Sequence, residues 1–273
     1  MKNLEMFCTS MEPNHYEFIK KTGYTPCALG EKDFQEGWLR DNTNINISSK
    51  NKNYAELTFH YWFWKNHLNN CQSKWIGFCH YRKFWTKEIY TSSQININNL
   101  SSIVLKEIPK ELEAYDVILG KPFYVNQRKI MKFLKKGFRT ILEKPTRLFN
   151  SDERTIKFHF DIMHGKNNLE KAIEFLDNEN RKDFYNYVNT KVYFHPFNMY
   201  ICKSKKMLDD YYKTLFMWLE KCETFFSKKK LQGYDLARIY AFLAERFTSY
   251  WFTKNAKYKT MNVSFYDIRN DLI

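Results

Sequence analysis

The chain has 273 residues, 44% of them hydrophobic and 18% aromatic, with a formal net charge of +14 at pH 7. That apolar share is ample for a core and excludes global disorder, and the length suits one large domain or a domain with a subdomain. No run of about 18 apolar residues exists to span a membrane, no stretch near residue 1 has the pattern of a secretion signal, and the excess of cations points to an anionic partner.

Leu4 to Cys8 reads as a first strand, followed by a turn over Met11 to Asn14, and Tyr24 to Leu29 as a second extended piece closed by Gly30. The loop from Asp41 to Ser48 is dense in Asn, Asp and Ser, which favour turns and caps. Asn53 and Glu56 have capping-box spacing, and Tyr54, Leu57, Tyr61, Trp64 and Leu68 then mark one apolar face of a helix. Trp75 to Cys79 is a short apolar run that fits a buried strand and is too short for a helix. The stretch TSSQININNLSS reads as a surface loop, Ile103 to Leu112 as helical and Asp116 to Leu119 as a strand. Between Lys121 and Arg147 lie nine Lys or Arg residues and one acid, Glu143. Ile130, Phe133, Leu134, Phe138, Ile141 and Leu142 give that segment an apolar stripe, so it reads as a basic amphipathic helix. Asn168 to Leu176 reads as a further helix, Val192 to Cys202 as a segment that contains Pro196 and then an apolar strand, NMYIC, and Lys205–Thr224 and Tyr234–Phe252 as two more helices. Residues after Asn255 show no clear pattern. Strands and helices alternate, which predicts an α/β fold with a parallel or mixed sheet.

Several chemistries are excluded by their missing signatures. There is no GxGxxG, no Walker loop, no HExxH and no GxSxG. The six cysteines, 8, 27, 71, 79, 202 and 222, show no CxxC and are expected to be reduced thiols without a zinc site. His159, Asp161 and His164 form only a weak metal signature, and no metal ligands are assigned. The informative cluster is His80-Tyr81-Arg82-Lys83 at the end of a predicted strand. An imidazole and two cations at one sheet edge suit a diphosphate or a sugar phosphate. Asn198, ahead of the strand MYIC, would project where the sheet meets a cleft. Glu245, in the apolar setting YAFLAERFTSYWF, is a candidate buried carboxylate.

These segments together resemble a bacterial family of capsule, O-antigen and lipooligosaccharide glycosyltransferases long labelled only as a domain of unknown function. The matching stretches are RDNTNINISSKNKNYAELTFHYWFWKN and WIGFCHYRKFW, followed in order by YDVIL, DIMHGKNNLEKAI, FNMYICKSKKMLDDYYKTLFMWLE and ARIYAFLAERFTSYW. The coverage runs from about residue 3 to residue 252. Arg40 stands where the family has a small residue, Asn44 where it has glycine, and Lys83 where its HYRR-type motif has a second arginine. The basic segment 128–149 is an addition to the family pattern.

The resemblance implies a single GT-A-like, Rossmann-like mixed sheet flanked by helices. The expected organisation is a glycosyltransferase domain over 1–255, with a basic helical insertion at about 126–150, and a tail over 256–273. It implies a nucleotide-sugar donor, UDP-linked, and a glycan or lipid-linked glycan acceptor, with galactose or galactofuranose as the sugar. The expected binding residues are Asp41, Asn42, Asn46, Ser48, Asn51, His80, Tyr81, Arg82, Lys83, His164 and Asn198. The N-terminus of the helix after Ser48 is expected to face the diphosphate. Glu245 is the first choice of catalytic base, Asp235 the second and Glu56 the third. No Asp-x-Asp motif occurs, so a divalent metal, manganese or magnesium, is compatible with the site but not expected to be essential. The basic helix, through Lys129 to Arg139, either holds a cytoplasmic enzyme peripherally on the inner face of an anionic membrane or packs on the sheet as an ordinary amphipathic helix with its lysines solvated. The competing reading is a non-catalytic, basic nucleic-acid-binding protein. Against it, the aromatics fall at core-like helix spacing and are not interleaved with Lys and Arg on strands.

Overall fold

The computed structural model of the chain describes residues 3–127, 144–229 and 233–267. The residues divide into two compact units. The first is Met1–Lys121, Asn198–Tyr212 and Asn255–Ile273, and the second is Pro122–Phe197 and Lys213–Lys254.

The first unit is built on strands, numbered in chain order: β1 (Leu4–Ser10), β2 (Thr25–Ala28), β3 (Leu39–Arg40), β4 (Trp75–His80), β5 (Lys83–Thr86), β6 (Val117–Gly120), β9 (Tyr200–Cys202) and β10 (Tyr258–Phe265). The near-continuous apolar runs of β1 and β4 are buried along almost their whole length, as strands of a covered parallel sheet are. The two pair in parallel from Leu4↔Trp75 to Thr9↔His80, and β2 and β3 add in parallel beyond β1.

The sheet order is β3-β2-β1-β4-β5-β10-β6-β9, and β9 pairs a second time, with β4. Five strands therefore close into a ring, a closure that the expected mixed sheet did not include. The closure needs a close approach. Ile201 of β9 pairs with Gly77 of β4 and also with Ile118 of β6. A Cβ on Gly77 would collide with Met6 Sδ and lie 3.0 Å from Ile201 Cγ1, so only glycine fits without a shift.

The helices of this unit are α1 (Tyr16–Lys21), α2 (Asn51–Tyr54), α3 (Leu57–Trp62) and α4 (Leu100–Ile103). The expected continuous helix over Asn53–Leu68 is in fact broken. Ala55 takes φ 51°, α3 restarts at Leu57, and a π-helical turn over Phe63–His67 and a 3₁₀ turn over Leu68–Asn70 follow. The helix expected to begin with a capping box at Asn53 instead restarts with Glu56 as its N-cap residue, and the Glu56 carboxylate accepts from Asn198. Nor is Ile103–Leu112 a helix. Val104 bridges to Thr86 and Leu105 N donates to Trp85 O, and Pro109, which cannot donate within a helix, precedes a 3₁₀ turn. The residues after Asn255 that lacked a pattern supply β10, between β5 and β6.

The second unit pairs β7 (Phe123–Tyr124) with β8 (Tyr193–Phe194), and its other described elements are helical. It contains α5 (Ile156–His164), α6 (Asn168–Ile173), α7 (Asn178–Thr190), α9 (Tyr234–Ala237), most of α8 (Lys205–Phe226) and nearly all of α10 (Ile239–Asn255). α7 escaped the sequence reading because it is mostly polar, although Asp177 caps it by accepting from Asn180 N. Trp218 anchors α8 by donating to Ala172 O at 2.7 Å. The predicted basic helix, Lys129 to Leu142, lies outside the described residues. Among the described residues no helix is long and apolar enough to cross a membrane.

Gly77→Ala is expected to lower stability by about 1–3 kcal/mol through overpacking. Gly120→Ala, whose new Cβ would meet nothing nearer than Val263 Cγ2 at 3.5 Å, is expected to lose less. Urea denaturation midpoints compare the two, and equal losses would remove crowding at Gly77 as the cause.

Candidate functional site

The first unit gathers its polar side chains at the C-terminal ends of the parallel strands β1 and β4. The loop after β3 reaches them through a ladder on the broken helix. Thr58 donates to the Asp41 carboxylate, Trp62 Nε1 donates to Thr43 Oγ1 at 2.9 Å, and the Asn66 amide takes both sides of the Ile45 backbone, N at 3.3 Å and O at 2.8 Å. Alternate loop residues thus meet every fourth helix residue. Asn44 supports the loop's turn with φ 49°, a left-handed conformation that Asn tolerates.

Asp41 is fully buried. Its Oδ1 accepts from Gly30 N at 3.1 Å while its Oδ2 takes the Thr58 hydroxyl, so it ties the end of β2 to α3. Burial pushes its pKa up to about 6, against the opposing pull of the bonds from Thr58 and Gly30. Asn46 Oδ1 accepts from both the backbone N and the hydroxyl of Ser48, a local turn, and Asn42 is exposed. Asn51 is buried and donates through Nδ2 to Ala55 O at 3.0 Å and to Thr58 Oγ1 at 3.2 Å.

Glu56 is the residue on which the site converges. Half-buried at the start of α3, it accepts at Oε1 from Asn198 Nδ2 at 2.8 Å. Burial alone would raise its pKa. The charge of His80 and the Asn198 hydrogen bond outweigh that burial, helped by the Glu56 backbone and by Lys83, and hold the carboxyl below the usual glutamate range. His80 ends β4, and its Nδ1 lies 2.8 Å from the hydroxyl of Thr9, its register partner on β1. Lys83 opens β5 directly across from His80. Tyr81 is half-buried, with its ring 4.8 Å from that of buried His15. Arg82 is exposed, its guanidinium over Tyr81 and 3.9 Å from Asp267. Of the four-residue cluster, His80 and Lys83 therefore act on Glu56, while Arg82 lies at the surface.

Behind Glu56, two tyrosines and a histidine form a buried network that sequence reasoning missed. His60 Nδ1 lies 3.0 Å from Tyr212 Oη and 3.1 Å from Tyr200 Oη, and Tyr200 donates to Tyr212 at 2.7 Å. Burial pushes the His60 pKa down to about 3, so the ring is uncharged at neutral pH. Its only signal in the sequence is a histidine within an otherwise apolar helix.

Glu245, Asp235 and His164 belong to the second unit. Both Glu245 oxygens are engaged there, Oε1 by Phe197 N at 2.6 Å and Oε2 by Nη1 of the buried Arg246. Arg246 stacks over Phe194 at 4.3 Å. His164 is buried against Phe242, with Nδ1 3.1 Å from the Asp235 carbonyl oxygen. Asp161 accepts from Lys157 and from Asn167 N. Among the described residues no three His, Cys, Asp or Glu side chains are grouped to hold a metal, and all six cysteines are buried free thiols.

The sequence matches the family described as domain of unknown function DUF4422 over residues 11–256. The chain belongs to this family. No functionally curated protein matches it. Among solved structures it is similar to the WbbM bifunctional glycosyltransferase in its apo form, with a TM-score of 0.70 and 19% identity. That alignment covers 97% of this chain and 45% of the other, so the chain spans less than half the length of that neighbour. A second alignment, to the mannosyltransferase Ktr4p of S. cerevisiae, has a TM-score of 0.31 and 11% identity over 82% of this chain and 61% of that one. The DUF4422 chain thus shares the mixed α/β fold of the first neighbour.

The pKa of Asp41 makes a stability prediction. A carboxyl raised from 3.8 to about 6 on folding contributes stability that is full below pH 3.8 and lost as pH rises through about 6. The loss is on the order of 3 kcal/mol, at 1.36 kcal/mol per pH unit of displacement. Asp41→Asn keeps an acceptor for Gly30 N and has no charge to bury. It should flatten the stability curve between pH 4 and 6 and be at least as stable as the natural protein at pH 7.5. Urea midpoints across that range measure it, and an unchanged slope would remove Asp41 as the source.

Proposed function

We propose that the chain is a glycosyltransferase that moves a sugar from a nucleotide-diphosphate donor, UDP-linked, to a growing bacterial surface glycan: a capsule, O-antigen or lipooligosaccharide chain. Galactose or galactofuranose is the proposed sugar. The observation that carries this reading is the convergence of His80, Lys83 and Asn198 on Glu56 at the ends of β1 and β4. A half-buried carboxylate with adjacent cations supplies the two things glycosyl transfer needs, a group to take the acceptor's proton and positive charge for the leaving diphosphate. The fold shared with a bifunctional glycosyltransferase supports the same reading.

Glu56 takes the role of base in this proposal, ahead of Glu245 and Asp235. Both Glu245 oxygens already accept hydrogen bonds within the second unit, and the Asp235 backbone serves His164. The donor's diphosphate would lie against His80 and Lys83, with Arg82 at the surface beside them. Sharing those cations with a second anion weakens their hold on Glu56, so donor binding raises its proton affinity toward the working pH. The base is then strongest when the donor is in place. Asp41, Asn46, Ser48 and Asn51 shape the loop that would meet the nucleoside. The basic segment Lys129 to Arg139 is proposed to bring the enzyme to lipid-linked acceptors at the inner face of an anionic membrane.

A thermal-shift screen of nucleotide sugars, with and without manganese, tests the reading, because a ligand bound only by the folded state raises stability by mass action. Stabilisation by a UDP-sugar is the expected result, and no stabilisation by any nucleotide sugar would reject it. With the donor identified, Glu56→Gln should lower turnover on the order of 10²–10⁴-fold with donor binding retained. Glu245→Gln should act through stability alone, and normal turnover in Glu56→Gln would return the base to Glu245 or Asp235. Since no Asp-x-Asp is present, EDTA should leave most of the activity. Complete loss restored by manganese would show an essential metal.

A further inference from the structure

We infer that the turn at Ala55, held by the side chain of Asn51, is a positioning device that aims the Glu56 carboxylate, and that Ala55 and Asn51 are positioning residues for it. The inference rests on the proposed role of Glu56.

Ala55 has φ 51° and ψ −132°. Glycine takes this conformation freely. A residue with a Cβ takes it only where the surroundings over-determine it. The chain does place glycine at other left-handed positions, such as Gly23, Gly30 and Gly233, where a Cβ would meet nothing within 4 Å. At position 55 it carries alanine, 4% exposed.

Both backbone polar groups of Ala55 are held. Its N donates to Asn51 O at 2.7 Å, and its O accepts from Asn51 Nδ2 at 3.0 Å. The same Nδ2 reaches Thr58 Oγ1 at 3.2 Å, and Thr58 is fixed in turn by Asp41. Asn51 thus clamps the turn through its backbone and its side chain together, Thr58 adds bonds from its N at 3.2 Å and its Oγ1 at 3.0 Å to Ala55 O, and the clamp is tied to the loop ladder.

The consequence falls on the next residue. Glu56 already has helical backbone, φ −58° and ψ −19°, so the direction of its side chain is set by the turn before it. In an unbroken helix the capping-box spacing would turn Glu56 back toward Asn53. With the break at Ala55, the carboxylate meets Asn198 instead. His80 and Lys83 are the charged groups that act on it there.

Replacing Ala55 by glycine relaxes the turn without removing any hydrogen-bonding group. The test uses the full chain, free of ligand. The Glu56 side-chain carboxyl is followed by ¹³C NMR through a pH titration, its signal assigned by its loss in Glu56→Gln. Ala55→Gly is expected to keep its thermal midpoint at or above that of the natural protein. The Glu56 titration midpoint should rise toward the ordinary glutamate value. Asn51→Ala should move it in the same direction, and adding Asn51→Ala to Ala55→Gly should give less than the sum of the two. Should Asn51→Ala not fold, Ala55→Gly alone decides. A folded Ala55→Gly variant with an unmoved Glu56 midpoint overturns the inference. So does a thermal midpoint lowered by several degrees, which would mean that the turn holds no strain. The titration needs no donor, so its outcome stands apart from whether the chain binds a nucleotide sugar.

Discussion

The first unit depends on a single carboxylate buried where carboxylates are costly. The groups that act on Asp41 are the Gly30 N–H, the Thr58 hydroxyl and its own backbone, none of them a cation, so burial prevails and its pKa rises. The return is architectural. Gly30 follows β2 and Thr58 lies on α3, so Asp41 ties the end of a parallel strand, the loop and the helix together. Trp62 to Thr43 and Asn66 to Ile45 then extend the attachment along the loop. Without Asp41 the other two contacts would have to order the eight residues from Asp41 to Ser48 alone, against a backbone cost of about 1–2 kcal/mol per residue.

Glu56 is the counterpart of Asp41, and the contrast separates scaffold from chemistry. Both are at least half-buried acids in the same unit. Neutral donors surround Asp41, so burial dominates and its pKa rises. Cations act on Glu56, so charge dominates and its pKa falls. Titratable groups pushed apart by their surroundings mark a division of roles. A carboxylate held anionic by groups that a bound anion would also use is responsive to ligand, whereas one held by hydroxyl and amide is not.

Much of this was legible in the sequence and some was not, for identifiable reasons. Apolar runs gave β1, β4 and β6, because a strand covered on both faces needs no partner to be recognised. The density of Asn, Asp and Ser between 41 and 48 announced a structured loop, and the alternation of 41, 43 and 45 against 58, 62 and 66 was there to be matched. The break at Ala55 was invisible, since alanine is the best helix former and nothing local argues for a positive φ. Ring closure was hidden because β9 has three residues and its second pairing depends on what Gly77 lacks. Glu245 ranked first from sequence because its surroundings are apolar. Burial alone does not say what a carboxylate is bonded to, and here adjacent Arg246 and the Phe197 N–H engage it.

The cluster His80-Tyr81-Arg82-Lys83 shows how a hairpin divides one run of polar residues into two functions. His80 and Lys83 are paired across β4 and β5, so both stay with the sheet. The two residues between them form the turn. Tyr81 is held inward by its N–H to Thr9 O and its ring on His15, which leaves Arg82 outward, where its contact with Asp267 at 3.9 Å is an exposed pair worth at most about 1 kcal/mol. On the proposed reading, an incoming diphosphate meets first a guanidinium whose existing partner is easily exchanged. It then meets an imidazole and an ammonium already committed to a carboxylate. The first contact costs little and favours encounter. The second redistributes charge that Glu56 was using, which is where binding of the donor would become a change in the proton affinity of the base.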